Sequence, residues 1–279
     1  MIELLDHDFM RRALVAAVFT GLAAPAIGTF LVQRRLALLG DGLGHVALTG
    51  VALGVLTGIA PILTAVVVAA LGALLIELLR MYGRTSGDVA LAMLFYGGIA
   101  GGVLLIDLAG ESAASLNSYL FGSILTVSNG DLVLVGILGA LVVALSVGLS
   151  PQLFAVCQDE EHAKVSGVPV RAYSILIAIL AAVTITVAMR TVGLLLVSAL
   201  MVVPVAASQQ LTRSFRSTHL AAMAIGLFAA LGGLVTSYQT DTPPGPTIVI
   251  LALVVFGIAS FTAAAARRAR SRRVPVDLS

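Results

Sequence analysis

The stretch GDGLGHVALTG at residues 40–50 places a carboxylate, Asp41, four positions before an imidazole, His45. Residues at this spacing share one face of a helix, so both side chains would point the same way. A carboxylate and an imidazole together suit a borderline divalent ion such as zinc or manganese. The residues alone also allow that Asp41 caps the helix and that His45 is a satisfied interior histidine.

The other polar residues give weaker indications of chemistry. Glu77 and Arg80 are three positions apart, which predicts an ion pair at the membrane surface. His7 and His219 are predicted to lie in loops without a partner. Lys164, the one lysine, does not follow a glycine, so the phosphate-binding pattern G-x-x-x-x-G-K-[ST] is absent. The nucleophile pattern G-x-S-x-G and the zinc-protease pattern H-E-x-x-H are absent too, and we expect no enzymatic activity in this chain.

The composition is that of a membrane protein. The 279 residues are 59% hydrophobic and 11% charged, with a mean hydropathy of +1.08, whereas soluble domains carry roughly 25% charged residues. Cys157 is the single cysteine, which excludes a disulfide framework and a cysteine-rich metal site. The net charge of +2 and the absence of a concentrated basic face argue against nucleic acid as a partner.

Uncharged runs long enough to cross a bilayer recur along the chain. A span needs about 20 mostly apolar residues, and Pro61 divides the longest run into two helices. We therefore predict an all-α, polytopic transmembrane bundle that forms a single domain over 1–279. Nine passes are expected, or eight if the amino-terminal segment lies on the surface. The runs are 13–32, 46–76, 89–106, 132–150, 172–189, 191–212, 220–240 and 242–266.

Glycines mark where these helices should approach one another. Gly50, Gly54 and Gly58 recur every four residues on the second span, and a further cluster lies at 97–102 on the fourth. Small residues at this spacing let helix backbones come close in lipid. We interpret them as packing residues of a compact bundle.

The distribution of basic residues predicts the orientation. With the carboxy terminus in the cytoplasm, the cytoplasmic loops and tail hold thirteen of the 16 basic residues, as the positive-inside rule requires. The amino terminus is then outside, and the chain lies in the cytoplasmic (plasma) membrane. The basic tail 267–279 is predicted to be disordered.

Two loops are expected to contain short helices. The outer loop 107–131 is half apolar and predicts an interfacial or re-entrant helix. In the inner loop 151–171, Asp159 can cap a helix, Glu160 and Glu161 suit its first turn, and Gly167 can end it. A charged cytoplasmic helix is not needed to hold a bundle together, so it is interpreted as a docking element.

Four stretches resemble the integral-membrane permeases of ATP-binding-cassette importers for zinc and manganese. They occur in the order found in that family and are RRLALLGDGLGHVALTGVALG (34–54), SLNSYLFGSILTVSNGDL (115–132), DEEHAKVSGVPV (159–170) and TVGLLLVSALMVVPVAAS (191–208). The chain departs from the family pattern at Gly42, Gly44 and Thr49, and the two glycines beside His45 are expected to make the start of the second span more flexible.

The resemblance implies a permease homodimer, or a pair with a related chain, bound to two cytoplasmic ATPase subunits. An extracytoplasmic metal-binding protein would deliver the ion. Asp41 and His45 would meet the transported Zn²⁺ or Mn²⁺, each appearing twice across the dimer axis, and no cofactor would be bound permanently. Zinc is favoured over manganese or iron. Coupling to the ATPase is implied for Asp159, Glu160, Glu161, His162, Ala163 and Gly167.

Two other functions remain as alternatives. A siderophore or vitamin permease of related architecture would need a wider cavity and no metal-binding pair. An ion-coupled secondary transporter would be expected to show internal repeats or a buried carboxylate relay. No repeat is visible in the sequence, and the charged inner loop would then have no purpose.

Overall fold

The computed structural model describes residues 8–82, 87–110, 119–122, 128–189 and 191–271. These residues fold into eleven helices, which we number in chain order: α1 (Asp8–Gln33), α2 (Leu39–Thr57), α3 (Pro61–Tyr82), α4 (Gly87–Leu108), α5 (Asn129–Gly148), α6 (Ser150–Gln158), α7 (Glu160–Val165), α8 (Val170–Met189), α9 (Leu194–Leu211), α10 (Phe215–Thr240) and α11 (Pro244–Ser271).

Nine of the described helices, all except α6 and α7, are long and apolar enough to cross a membrane. This confirms the all-α fold and the nine predicted passes. The break at Pro61 is also confirmed: α2 ends at Thr57, its C-cap Gly58 has a left-handed φ of 70°, and α3 begins at Pro61. Glycine has no Cβ to oppose that backbone conformation, and proline is well suited to the first turn of a helix.

The second span begins earlier than its hydropathy suggests. We expected it from residue 46, but α2 starts at Leu39. The polar residues of this first turn are accommodated because the helix packs inside the bundle. A Cβ on Gly40 would lie 2.8 Å from Ser198 Oγ of α9, and one on Gly44 would lie 3.1 Å from Leu194 of the same helix. Contact with protein rather than lipid explains why a polar turn is tolerated there.

The central helices are α1, α2 and α8, which bury most of their residues, whereas α4, α5 and α11 are peripheral. α2 lies between α3 and α4. The glycines of α2 allow its close contact with α3, because a Cβ on Gly50 would come within 2.6 Å of the Ala65 backbone on α3. The predicted role in close helix packing agrees with this geometry for Gly50 and Gly54. It is wrong for Gly58, whose Cβ would meet nothing within 4 Å and which ends the helix instead.

The inner loop 151–171 contains two helices rather than one. α7 agrees with the prediction: Asp159 is its N-cap, and Gly167 follows it with a left-handed φ of 82°. α6 was not predicted. It begins at Ser150, directly after α5, has Pro151 in its first turn, and buries Leu153 and Val156.

Three further expectations concern His219, the basic tail and the outer loop. His219 is not in a loop but inside α10, where it is 3% exposed, because Ser214 caps that helix earlier than hydropathy indicated. The tail predicted to be disordered from 267 begins inside α11, which is helical to Ser271. Of the outer loop, the helical turn at 119–121 is described. His7 and most of 111–127 lie outside the described residues.

Candidate functional site

Asp41 lies in the first turn of α2 and lines a pocket at the surface of the bundle. The N-cap position is occupied by Leu38, which makes no side-chain cap, so the hypothesis that Asp41 caps this helix is wrong. The pocket has a volume of about 260 Å³, and its other walls come mainly from the start of α4. Those wall residues are Leu38, Leu91, Ala92, Phe95 and Tyr96.

His45 lies one turn further along α2, on the same face as Asp41. Its imidazole meets the ring of Phe95 edge-on, with centroids 4.5 Å apart at 77°. The ring nitrogen Nδ1 is buried and has no hydrogen-bond partner. No described residue satisfies Nδ1 of His45, and the ring packs against Phe95. Both ring nitrogens of His219 are also buried without a partner, but His45 has a carboxylate, Asp41, on its helix face, which favours a functional role.

The backbone beside His45 is in close contact with α4. A Cβ on Gly98 would lie 2.6 Å from the carbonyl carbon of His45, so only glycine fits at this crossing. Thr49 Oγ1, one turn beyond His45, donates a hydrogen bond of 2.8 Å to the Gly98 carbonyl. The glycine contact and the threonine bond together hold Phe95, one turn earlier on α4, against the imidazole.

The pair offers two candidate side-chain ligands in one copy of the chain. Within the described ranges, no group of three or more histidine, cysteine, aspartate or glutamate side chains is placed to hold a metal ion. Zinc sites usually have three or four protein ligands. Two side chains from one copy of the chain are therefore fewer than such a site uses.

α7 presents most of its predicted coupling residues outwards. Asp159 accepts a hydrogen bond of 2.9 Å from the His162 backbone N–H, which fixes the start of the helix. Glu160, Glu161 and His162 are exposed, and Gly167 ends the turn with a bond of 3.1 Å to the Lys164 carbonyl. Ala163 points inwards and is 1% exposed.

Ala163 therefore packs, while the predicted acids and His162 form the accessible face. Sequence reasoning missed one residue of that face. Val165, the last residue of α7, is 88% exposed, an unusual position for a branched apolar side chain on a charged helix. In the sequence, Val165 is recognisable as the one large apolar residue of DEEHAKVSG.

A cluster of charges connects α7 to the bundle. The expected ion pair between Glu77 and Arg80 is present at 3.0 Å. Arg34, which follows α1, joins it: its guanidinium bonds Glu160 of α7 and Ser174 of α8. These residues line a cavity of about 720 Å³ between α3, α7 and the start of α8. Arg34 is one of the thirteen basic residues assigned to the cytoplasmic side from the sequence, and its burial was not predicted.

Comparisons with known proteins agree on a family. The sequence profile of the ABC 3 transport family matches residues 6–263. The manganese import system permease protein ScaB of Streptococcus gordonii is 31% identical over 96% of each chain. The high-affinity zinc uptake system membrane protein ZnuB of Haemophilus influenzae is 29% identical over 91% of this chain and 97% of its own length.

A solved structure shares the fold. PsaBC from Streptococcus pneumoniae in complex with Fab contains a chain that superposes with a TM-score of 0.83 at 31% identity. The match covers 93% of the present chain and 95% of that chain. The fold and the sequence therefore identify the same relatives.

Proposed function

The chain belongs to the ABC 3 transport family and is the membrane permease of a metal ABC importer, and we propose that it carries a divalent ion past Asp41 and His45. ATP is hydrolysed by a partner ATPase, since the permease has no phosphate-binding motif. The observation that carries the proposal for the site is the buried, unpartnered Nδ1 of His45 on the same helix face as the Asp41 carboxylate.

We propose that two copies of the chain complete the ion's surroundings. The pocket lined by Asp41 opens on the outer side of α2 and α4, where Leu38 and Tyr96 are 68% and 69% exposed. A second copy facing this surface would bring two carboxylates and two imidazoles around one axis. The number of ligands remains small, which favours release of the ion, and no cofactor is bound permanently.

We propose zinc as the cargo, with manganese as the alternative. An imidazole nitrogen suits zinc, whereas manganese is better matched by carboxylate, carbonyl and water oxygens. Relatives are named for both metals, so the proposal of zinc rests on the chemistry of His45. A site that used Asp41 and water more than His45 would favour manganese.

The direction of transport follows from the proposed orientation. We place the end of the bundle that carries Arg34, Arg80, α6 and α7 in the cytoplasm, because basic residues concentrate there. The exposed residues Asp159, Glu160, Glu161 and His162 then face two ATPase subunits, with Ala163 and Gly167 shaping the helix. An extracytoplasmic metal-binding protein would dock at the opposite end.

The test is uptake by a complex of the permease and its ATPase in proteoliposomes. We expect zinc to stimulate ATP hydrolysis and to enter the vesicles. Asp41→Asn and His45→Gln should each abolish uptake while leaving ATPase association and the melting temperature near those of the unmodified complex. Tyr238→Phe, at the far end of α10, is the control for a polar change elsewhere. Full uptake by both site variants would overturn the proposed site, and stimulation by manganese alone would overturn the choice of metal.

A further inference from the structure

Arg34 joins four helices at the end of the bundle that carries α7. It directly follows α1, and its Nη2 atom donates hydrogen bonds to Glu160 on α7 and, at 3.1 Å, to Ser174 on α8. The same atom lies 3.9 Å from Glu77 Oε1 on α3. The Arg34 side chain is 6% exposed. A cation almost removed from water is thus held by polar partners on three other helices.

The two carboxylates beside Arg34 are in different situations. Glu160 belongs to a helix of six residues, and its side chain is 55% exposed. Glu77 is 5% exposed within α3, and its other oxygen already accepts a hydrogen bond from Arg80. The 3.9 Å gap between Arg34 and Glu77 exceeds hydrogen-bond distance. The Arg34 guanidinium is therefore bonded to Glu160 on an exposed helix. It lies just beyond hydrogen-bond distance of Glu77, which Arg80 holds in place.

Arg34 also begins the connector to the candidate ion site. The next residue, Arg35, has a left-handed φ of 59°, and the Leu36 N–H donates a bond of 2.8 Å to the Leu31 carbonyl. These features reverse the chain sharply into α2. Asp41 follows Arg34 by seven positions. Only a short, sharply turned segment therefore separates Arg34 from the first turn of α2.

We propose that Arg34 is a positioning residue for transport: when the ATPase draws α7 away, its guanidinium leaves Glu160, bonds Glu77, and shifts the start of α2. Closing the gap to a normal hydrogen bond of about 2.9 Å moves Nη2 by about 1 Å. Arg34 contacts no cargo and acts through Asp41 and His45. The inference rests on the proposed function, because it assigns the route by which the ATPase reaches the ion site.

The first test measures metal transported per ATP hydrolysed by the complete permease–ATPase complex in proteoliposomes, with zinc as the probe. The main variant is Glu160→Gln, and it is compared with Glu161→Gln, because both acids lie on the proposed ATPase-docking face and Glu160 bonds Arg34. We expect the ratio in Glu160→Gln to fall at least about fivefold below that in Glu161→Gln, fivefold being the lower range of measured site-to-site coupling. Arg34→Gln should give a similar fall, and the double variant no further one.

Arg216→Gln is the matched control, since this exposed arginine at the start of α10 lies outside the cluster. It should keep the unmodified ratio. Unchanged ratios in Glu160→Gln and Arg34→Gln would overturn the inference. The inference would also be overturned if the effects of the two single variants on the ratio added in the double variant, because two residues that act through one contact cannot contribute independently.

A second test separates this inference from the proposed function. Amide hydrogen exchange of residues 34–41 is compared between the nucleotide-free and nucleotide-bound complex. We expect nucleotide to change the exchange in the unmodified protein and in Arg216→Gln but not in Glu160→Gln. Exchange that is independent of nucleotide, or unaffected by Glu160→Gln, would overturn the role of Arg34. Failure of the unmodified complex to move metal, with nucleotide-dependent exchange present, would overturn the proposed cargo alone.

Discussion

The ring of Phe95 meets the imidazole of His45 edge-on, with 4.5 Å between the ring centroids. Phe95 is on α4 and His45 on α2, so the contact depends on how these two helices are held together. Thr49 and Gly98 supply that restraint through the hydrogen bond of 2.8 Å between them. The orientation of the candidate ligand is thus set by an apolar ring that cannot bind a metal itself.

Phe95→Leu should weaken metal transport while the bundle stays folded. An edge-on aromatic pair contributes about 0.5–1.5 kcal/mol beyond its buried area, which corresponds to roughly a two- to tenfold change in apparent affinity if the loss falls on the ion-bound geometry. The measurement is zinc uptake as a function of zinc concentration. Phe261→Leu is the control, because Phe261 is 77% exposed on α11. Equal affinities in both variants would contradict a positioning role for Phe95.

Gly98→Ala should be far more damaging than Gly97→Ala. The added methyl group at residue 98 would lie 2.6 Å from the His45 carbonyl carbon and 2.7 Å from the Val46 nitrogen, whereas nothing lies within 4 Å at residue 97. Overpacking of this kind costs typically about 1–3 kcal/mol, and relief requires α4 to move away from α2.

These adjacent substitutions serve as each other's control. Gly98→Ala should reduce uptake strongly and lower the melting temperature of the purified permease. Gly97→Ala should match the unmodified protein or be slightly more stable, since alanine is the better helix former. Wild-type uptake by Gly98→Ala would show that the α2–α4 crossing does not position His45.

Some of this arrangement could be predicted from the sequence because its signals are local. Runs of apolar residues located nine spans, and Pro61 marked the turn between two of them. Asp159 and Gly167 marked the ends of α7 for the same reason: capping and left-handed turns depend on residues a few positions apart. The spacing of Asp41 and His45 likewise required only the geometry of one helix.

The parts that could not be predicted depend on which helices become neighbours. The glycines of α4 indicated close packing but not that α2 is the partner, so Phe95 carried no signal for His45. From the sequence, Arg34 could be recognised only as part of a basic loop. Its burial arises only when Glu160, Glu77 and Ser174 converge from three other helices. Hydropathy also placed His219 in a loop, since it cannot register the pocket that Phe30 and Phe215 form around that ring.

Val165→Ala should weaken association with the ATPase. Val165 is 88% exposed at the end of α7, beside the exposed acids. Val165→Ala removes the equivalent of two methylene groups, and burying each contributes about 0.8 kcal/mol. We expect roughly a fivefold or greater loss of ATPase affinity in detergent, measured by titration of the purified subunits. Val133→Ala provides the comparison, because Val133 is exposed on α5. Equal affinities in the two variants would exclude Val165 from the docking face.

Cys157 should remain unreactive towards maleimide in the folded protein. Burial raises the pKa of the Cys157 thiol from 9.0 to about 12, and the neighbouring Glu160 adds to this while Arg34 opposes it. The reactive thiolate is then about a thousandfold scarcer near neutral pH than for a free cysteine. Labelling should therefore be slow at pH 7 and rise about tenfold per pH unit, approaching its plateau only near pH 12. Unfolding in detergent should restore fast labelling at pH 7. Fast labelling of the folded protein at that pH would contradict the partly buried position of this thiol, which lies on α6 near the Arg34–Glu160 contact.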